Sequence, residues 1–440
     1  MNRLLALAAG VAASAIALPS APAAAQDVFI TNARVVIGDG GDPIDGASVL
    51  VRGGRVVAAG RNVAAPVGVP AMDAGGRWVT PGLFATLTSL GLADVDAVNE
   101  SNDVRANGAP FSAALDAAQA INPISQNILV HRAAGITRAV STTLPSGSIF
   151  GGQGAVIDLD GDANAVMVPR AFQMVDLSEG GGRLAGGSRV AAHVLFRNAM
   201  REAQALSTRS GLPGTTEIVK GDKVMLGRFD AEALVPIVTG RQKLYVAVER
   251  AADIRGVLAL KSEFPRLDMV LVGVSEGWLV AADIAAAKVP VIANGLNDLP
   301  ETFQQLAATQ SNIGRMKRAG VMVAINADAA QNPRRLSQTA GNLVALTRVP
   351  GAEGLSWGEA FAAISSVPAA ISGMGGKAGV LAPGALGDVV IWDGDPLEVG
   401  TIPTKVFIGG VEQDLSSHQS RLRDRYKSLD ESARPKAFDW

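Results

Sequence analysis

The sequence predicts an α/β protein in which a (β/α)8 TIM-like barrel is joined to a small composite β-sandwich formed by the N- and C-terminal segments. Two observations lead to this prediction. Short β-branched runs, such as KLYVAV and VMVAIN, alternate with Ala- and Leu-rich amphipathic segments over about 290 residues, which is typical of a barrel. Short apolar runs bounded by glycine pairs lie on both sides of this region, as in antiparallel strands. Periodicity alone leaves a doubly wound sheet open as the alternative.

The start of the chain has the features of a secretory signal peptide. Arg3 precedes an uncharged run at 4–18, and small residues end in an A-x-A cleavage site at 23–25. We therefore expect cleavage before Gln26 and an exported protein, periplasmic or secreted. No later segment reaches about 18 uninterrupted apolar residues, so no membrane span is predicted.

The rest of the chain divides by pattern into further parts. Strand-like runs with glycine-pair turns, such as that in VRGGRV, occupy 26–80 and return at 377–415. Neither piece is large enough to bury a core alone, so we predict that they pair into one composite β-sandwich beside a barrel at 81–376. The charged last stretch, 416–440, is expected to form a helical tail on the surface.

The composition excludes several kinds of function. The formal charge of the 440 residues is −2, and loss of Arg3 with the signal peptide makes it −2 − 1 = −3, which is no electrostatic footprint for nucleic acid. With 0 cysteines, the chain can form neither disulfides nor thiolate metal sites, and it has no cysteine nucleophile.

Several long blocks resemble one family. NARVVIGDGGDPIDGASVLVRGGRVVAAG and GGRWVTPGL are similar to the opening of imidazolonepropionase-like amidohydrolases, and GVLAPGALGDVVIWDGDPLE with VFIGGVEQ is similar to their close. NPRRLSQTAGNLVAL and GEAFAAISSVPAAISGM extend the resemblance to nearly all of the chain after the signal peptide. Membership in this metal-dependent amidohydrolase superfamily implies the barrel, the composite β-sandwich and hydrolysis of C–N bonds in amides, cyclic amides or dipeptides. It also implies zinc, whose bound water ionises at about pH 7.

The metal ligands that the resemblance implies are replaced on the first barrel strand. In the family this strand ends in an H-x-H pair after P-G-x-x-D-x, and strand alternation places both histidines on one face. Pro81 and Gly82 match the motif. The aspartate position holds Ala85, and the two histidine positions hold Leu87 and Ser89.

The remaining ligand positions show the same loss. The histidine position before the family's R-A-x-D-I helix signature carries Ala247, and the next one, ahead of the matching Glu276, carries Gly273. The metal-bridging lysine or glutamate of some members has no identified counterpart. Only the last-strand aspartate remains, as Asp328 in VAINADAAQN, and it is the one catalytic residue we predict. We predict no metal ligands and no bound cofactor, although the family would use zinc.

The 3 histidines of the chain do not supply a replacement site. His131 and His193 lie on Ala-rich helical segments and His418 lies in the charged tail. A zinc site needs three or four converging ligands, so we interpret these histidines as surface or helix-packing residues.

Two further segments have residues that bind ions in other proteins. Asp158, Asp160 and Asp162 lack the glycine and the distal glutamate of a calcium loop, and we interpret them as a solvated turn. The glycine-rich stretch at 179–189 could bind an anion at the start of the following helix, but it lacks the G-K-[ST] ending of a phosphate loop. We therefore favour a flexible surface loop near the barrel mouth.

A serine hydrolase is a rival interpretation. The stretch GVSEG at 273–277 fits G-x-S-x-G after an apolar strand, and Ser275, Asp328 and His418 follow in the order of an α/β-hydrolase triad. The sequence has no H-G-G-G oxyanion segment, and His418 comes after the last β unit.

The loss of the metal ligands decides which function is predicted. Without a metal, forming hydroxide costs up to about 12 kcal/mol more, whereas a lone Asp328 acting as general base supplies roughly 3–5 kcal/mol. The sequence therefore predicts a noncatalytic homologue whose barrel mouth binds a peptide-like or cyclic amide ligand, or a protein partner such as an active paralogue or a second copy. The alternative is an exported hydrolase acting on C–N bonds through a site rebuilt around Asp328.

Overall fold

The computed structural model describes residues 25–95, 98–209, 226–327 and 332–428. Within these ranges the chain forms two eight-stranded sheets, one of which nearly closes into a barrel, and this confirms the predicted fold class. The predicted signal peptide up to residue 24, the end of the predicted tail and Asp328 lie outside these ranges. No helix among the described residues is long and apolar enough to cross a membrane.

The first sheet contains strands from both ends of the chain. They are β1 (Val28–Val35), β2 (Ile44–Arg52), β3 (Arg55–Gly60), β4 (Ala71–Asp73), β5 (Trp78–Pro81), β14 (Val389–Trp392), β15 (Pro403–Ile408) and β16 (Val411–Glu412). Their order is β16-β15-β14-β5-β1-β2-β3, with β4 beside β1. The antiparallel pairing of β5 with β14 therefore joins the two ends of the chain, as predicted.

The glycine pairs of this sheet serve as hairpin turns. Gly53 and Gly54 connect β2 to β3 and have φ values of +52° and +75°. A two-residue turn with both φ values positive matches the twist of the flanking strands, and glycine adopts it without strain. The alternating inward residues of both chain ends then share one hydrophobic core that includes Ile30, Val49, Val79, Ile391 and Phe407.

The second sheet forms the barrel. Its strands are β6 (Leu83–Thr88), β7 (Ile136–Ser141), β8 (Phe150–Asp158), β9 (Val166–Asp176), β10 (Lys243–Val248), β11 (Asp268–Gly273), β12 (Val291–Ala293) and β13 (Val323–Ile325). They lie side by side in chain order. The Thr86 hydroxyl of the first strand donates to the carbonyl of Ile325 on the last at 3.0 Å, and this contact brings the two edges together.

One strand differs from the predicted eightfold pattern, because β8 runs antiparallel to both neighbours. Its connections, 142–149 and 159–165, are too short for the dozen or so residues that a parallel crossover needs. The second connection carries Asp160 and Asp162, which form a turn as predicted. The prediction is wrong for Asp158, which ends β8 and is buried. Asp160 accepts a hydrogen bond from the Asp162 N–H at 2.9 Å, and Asp162 accepts one from the Asn164 N–H at 2.6 Å, as in Asx turns.

Eleven α-helices accompany the strands within the described ranges. They are α1 (Gln126–Arg132), α2 (Glu179–Leu184), α3 (Arg189–Arg209), α4 (Arg228–Val238), α5 (Ala251–Glu263), α6 (Ala281–Ala287), α7 (Asn312–Arg318), α8 (Leu336–Ala345), α9 (Trp357–Ala362), α10 (Ser366–Ile371) and α11 (His418–Tyr426). Inside the barrel, side chains fill the centre, and the rings of Phe172 and Tyr245 stack with centroids 4.0 Å apart.

The prediction of a flexible loop at 179–189 is wrong for its first half. Residues 179–184 form α2, in which Gly181 and Gly182 are buried. A Cβ atom at position 181 would lie 1.8 Å from the carbonyl oxygen of Asp176. The glycines therefore allow this short helix to pack against the end of β9, and they are not part of a flexible loop.

A buried ion-pair network connects the barrel to the composite sheet. The Arg138 guanidinium on β7 donates to Asp388, just before β14, from Nε at 2.8 Å and from Nη2 at 2.9 Å. Its Nη1 donates to Asp158 at the end of β8 at 3.1 Å. All three residues are buried. One guanidinium thus contacts two carboxylates, and of these Asp388 is the one that accepts two hydrogen bonds from it.

This imbalance predicts a pH dependence of stability. Burial raises the pKa of Asp158 to about 7, and Arg138 offsets only part of this shift. Because the folded chain binds this proton more tightly than the unfolded chain, its stabilising effect is complete below about pH 4 and is lost as the pH rises through about 7. Urea denaturation across this range should therefore show a free energy of unfolding that falls with pH. Asp158→Asn should remove that fall, whereas Asp162→Asn in the exposed turn should leave it unchanged.

Candidate functional site

The positions at which the sequence resemblance places metal ligands lie at one end of the barrel, which we call the mouth. Leu87 lies near the end of β6, Ala247 near the end of β10 and Gly273 at the end of β11. Ser89 follows β6 and is half-buried. Asp328, the predicted catalytic residue, lies outside the described residues.

Leu87 makes the first of these positions apolar. It is buried with the side chains that fill the barrel interior, and its φ value of +49° is uncommon for a residue with a bulky side chain. Its branched side chain offers no lone pair to a metal. Ala247 is partly exposed, and its methyl group likewise has no donor atom.

Glu249 occupies the space that a side chain at position 273 would need. A Cβ atom built on Gly273 would lie 2.1 Å from Oε1 of Glu249, closer than real atoms approach. Gly273 also has a φ value of +88°, where glycine is the favoured residue. The carboxylate of Glu249 thus fills the place where the family resemblance puts a histidine.

Two hydrogen bonds from one residue hold this carboxylate. Oε2 of Glu249 accepts from the backbone N–H of Ser275 at 2.9 Å and from its hydroxyl at 2.7 Å. The side chain of Gln305 provides a further hydrogen bond. Val274, between the strand and Ser275, has a φ value of +55°, which is strained for a β-branched residue. This strained turn is what returns Ser275 toward Glu249.

The surroundings of Glu249 favour its protonated form. Burial raises the pKa of the Glu249 carboxyl group, the hydrogen bonds from Ser275 and Gln305 lower it, and the negative charge of Asp176 raises it further. Asp176 is near because it pairs in register with Ala247 on the adjacent strand. The mouth therefore holds two carboxyl groups, Asp176 at the end of β9 and Glu249 directly after β10, and the pKa of Glu249 is raised.

The connection between β12 and α7 covers this part of the mouth, and we call residues 296–310 the mouth loop. Glu276 holds it by accepting from the N–H of Ala307 at 3.1 Å, while its other oxygen accepts from the N–H of Ala251 at 3.0 Å. The Trp278 indole donates to the carbonyl of Ala307 at 2.8 Å. The matching family glutamate thus has a structural role here.

The serine-hydrolase interpretation is not supported by these positions. Ser275 is 2% exposed, and its hydroxyl is committed to Glu249. His418 begins α11, where its N–H donates to Gln126 at the start of α1. That helix precedes β7, which is four strands from β11 in the barrel order. The structure therefore does not bring Ser275 and His418 together, and Asp328 lies outside the described residues.

The other two histidines also lie away from the mouth carboxylates. His131 is buried in α1, and its Nε2 lies 3.0 Å from the side-chain oxygen of Asn332. His193 lies on α3, where burial lowers the pKa of its imidazole. Both positions agree with the packing roles predicted from the sequence.

The described residues at the mouth do not fit the family's zinc centre. Zinc needs three or four nitrogen, sulfur or oxygen ligands that converge on one point. Three of the four histidine positions hold Leu87, Ala247 and Gly273, and a side chain at the last would collide with Glu249. Within the ranges that the structure describes, no three His, Cys, Asp or Glu side chains are grouped to hold a metal ion.

Sequence reasoning missed Glu249, Asp176 and Gln305. Alternation along KLYVAVE carried a signal, because it places Glu249 on the same face as Ala247. A glycine in place of the fourth histidine was a second signal, since an absent side chain leaves room for a neighbour. Gln305 comes from a long connection, and no local pattern indicates where it folds back.

Comparisons with known proteins agree with this architecture. An amidohydrolase family model matches residues 267–410. The chain is 26% identical over 388 residues to an imidazolonepropionase of Ralstonia nicotianae, covering 80% of this chain and 88% of that protein. It is also 42% identical over 60 residues to amidohydrolase tasK of Hapsidospora irregularis, a match that spans 14% of this chain and only 6% of that protein.

Solved structures show the same fold at low sequence identity. An amidohydrolase from Thermotoga maritima superposes with a TM-score of 0.75 at 21% identity, covering 88% of this chain and 99% of that one. A molinate hydrolase superposes with a TM-score of 0.53 at 15% identity, covering 95% of this chain and 99% of that one. Taken with the family model over residues 267–410 and the imidazolonepropionase match, these structures show that the chain is similar in sequence and in fold to members of the amidohydrolase superfamily.

Proposed function

We propose that this chain is an exported amidohydrolase homologue that does not carry out metal-hydroxide hydrolysis and binds a small peptide-like or cyclic amide ligand at the barrel mouth. One observation carries the proposal. The Glu249 carboxylate fills the space above Gly273 that the fourth histidine would need, so the change affects the shape of the site as well as its ligands.

The chemistry of the replaced positions supports this proposal. Leu87, Ala247 and Gly273 have no side-chain donor atoms, so three of the family's four imidazoles have no substitute at their own positions. Without a Lewis acid, water keeps a pKa nearer 15.7 than about 7, and hydroxide is scarce at neutral pH. The carboxyl groups of Asp176 and Glu249 are instead suited to accept hydrogen bonds from the N–H groups of an amide or peptide.

Metal analysis combined with an activity assay tests this proposal. We expect the purified chain to contain far less than one zinc per molecule after exposure to zinc and desalting, and to show no chelator-sensitive hydrolysis of dipeptides or cyclic amides. An intact amidohydrolase relative carried through the same steps is the control. Stoichiometric zinc together with chelator-sensitive turnover would overturn the proposal. An intact mass of the purified protein that matches a chain beginning at Gln26 would support export.

The alternative, a hydrolase with a rebuilt site, has one specific observation in its favour. Burial raises the pKa of Glu249, and a carboxyl group that exchanges protons nearer neutral pH is better suited to general acid–base catalysis. If metal-free protein hydrolyses C–N bonds, Glu249→Gln should reduce the rate by about 100-fold or more. Turnover that survives this substitution would exclude Glu249 as the general acid–base group of such a hydrolase.

A further inference from the structure

We propose that two copies of this chain associate through the mouth loop, with the apolar side chains of each loop seated in a groove of the other copy. This inference goes beyond the proposed function, because it concerns the outer face of the loop and does not depend on whether the mouth binds or hydrolyses a ligand.

The inner face of the mouth loop is firmly held. Gln304 accepts a hydrogen bond from the N–H of Glu179 at 2.9 Å, and Gln305 bonds to Glu249. Ala307 is fixed through both its N–H and its carbonyl, to Glu276 and Trp278. These contacts lie within the four residues from Gln304 to Ala307, so they fix the backbone that carries the neighbouring exposed side chains.

The outer face of the same loop presents large apolar side chains to solvent. Leu299 is 77% exposed, Phe303 is 83% exposed and Leu306 is 64% exposed. Isolated exposed apolar residues are common on protein surfaces and need no explanation. Three of them within eight residues of one anchored loop form a patch, and such patches mark interaction surfaces.

A groove lies at the base of the loop. Leu296 of the loop, Ala345, Leu346 and the half-exposed Val349 line a cavity of about 300 Å³ together with the polar Gln310 and Asn342. A projecting apolar side chain beside a mainly apolar groove on one face is self-complementary. In a two-fold dimer, Phe303 of each copy can enter the groove of the other, which is the isologous arrangement that closed dimers use.

The charges around the patch favour a second copy as the occupant. Asp298 and Glu301 are exposed on the loop, and Arg348 is exposed beside the groove. Insertion of one loop into the partner's groove brings these carboxylates toward that guanidinium, and the same pairing occurs twice around the two-fold axis. The two acidic residues would instead be repelled by an anionic lipid surface.

The oligomeric state in solution tests the proposal. Sedimentation velocity of the chain beginning at Gln26 over a hundredfold range of concentration should show a monomer–dimer equilibrium. Phe303→Asp should weaken dimerisation at least about tenfold, as expected for an aromatic residue at the centre of an interface. Val399→Asp is the matched control, because Val399 is 72% exposed but lies in the connection between β14 and β15, and it should leave the equilibrium unchanged.

A charge exchange provides a second, independent readout. Arg348→Glu should weaken dimerisation, because it places a carboxylate opposite the acidic loop of the partner. Adding Glu301→Arg to the same chain should restore dimerisation, because opposite charges then face each other again at both symmetric contacts. Circular dichroism confirms that each variant is folded. A wild-type chain that is monomeric throughout, or a Phe303→Asp variant that dimerises like wild type, would overturn the proposal. So would a monomer whose Phe303 drives binding to phosphatidylglycerol vesicles, because the loop would then contact lipid.

Discussion

Replacement of Arg138 by methionine should destabilise the protein by about 3–5 kcal/mol, the loss expected when one partner of a buried ion pair is removed. The substitution leaves Asp388, which is 2% exposed, without its bidentate partner. Of the donors that remain, the N–H of Gly409 lies at 2.8 Å and the Thr137 hydroxyl at 3.4 Å. Two weaker donors cannot replace a guanidinium in a buried site. The negative charge of Asp388 would therefore be only partly neutralised between the two sheets.

Denaturant unfolding monitored by tryptophan fluorescence measures this loss, and Arg228→Met is its control. Arg228 pairs with Glu232 at 2.8 Å, but that pair lies on the exposed face of α4, where ion pairs contribute about 0.5 kcal/mol or less. Asp388→Asn should resemble Arg138→Met in size, because it also unbalances the network. A loss below about 1 kcal/mol for Arg138→Met would show that the buried network is not a stabilising connection.

Gly273→Ala should destabilise the protein by about 2–4 kcal/mol, which is large for the addition of one methyl group. Two causes act together. Alanine is strained at a φ value of +88°, and the new Cβ atom would lie 2.1 Å from Oε1 of Glu249. The carboxylate must therefore move, and its hydrogen bonds with Ser275 are lost.

A double-mutant cycle separates the two causes. In a Glu249→Ala background only the backbone strain remains, so Gly273→Ala should cost about 1–2 kcal/mol there. Gly373→Ala offers a second comparison, since Gly373 has a φ value of +81° but no atom within 4 Å of an added Cβ. Equal losses with and without Glu249 would mean that the carboxylate does not occupy this space.

The sequence predicted the parts of the fold that follow from local pattern. Glycine pairs such as Gly53-Gly54 marked hairpins, and alternation of strands and helices indicated the barrel. The reversed direction of β8 was missed, because only the short connections on either side distinguish this strand from a parallel one. The helix at 179–184 was missed because glycine disfavours helices, and its packing against Asp176 is a tertiary effect.

The site was only half predictable for a related reason. Comparison of motifs led us to expect that Leu87, Ala247 and Gly273 stand where the family has histidines, because those positions lie at fixed distances from recognisable neighbours. It did not indicate that Glu249 fills the space beside Gly273. Glu249 and Gln305 come from different connections, and their meeting depends on a strained turn at Val274 and on the path of the mouth loop.

The pairing of β5 with β14 has a consequence for how the chain folds. The Trp392 indole donates to the Thr80 hydroxyl at 2.9 Å across 312 residues of intervening chain. During synthesis from the N-terminus, β5 therefore appears long before its neighbour, and one edge of the early sheet stays unpaired meanwhile. Contacts so distant along the chain slow folding, and unpaired edges invite association between chains. The early strands thus need protection from aggregation until the last tenth or so of the polypeptide has emerged.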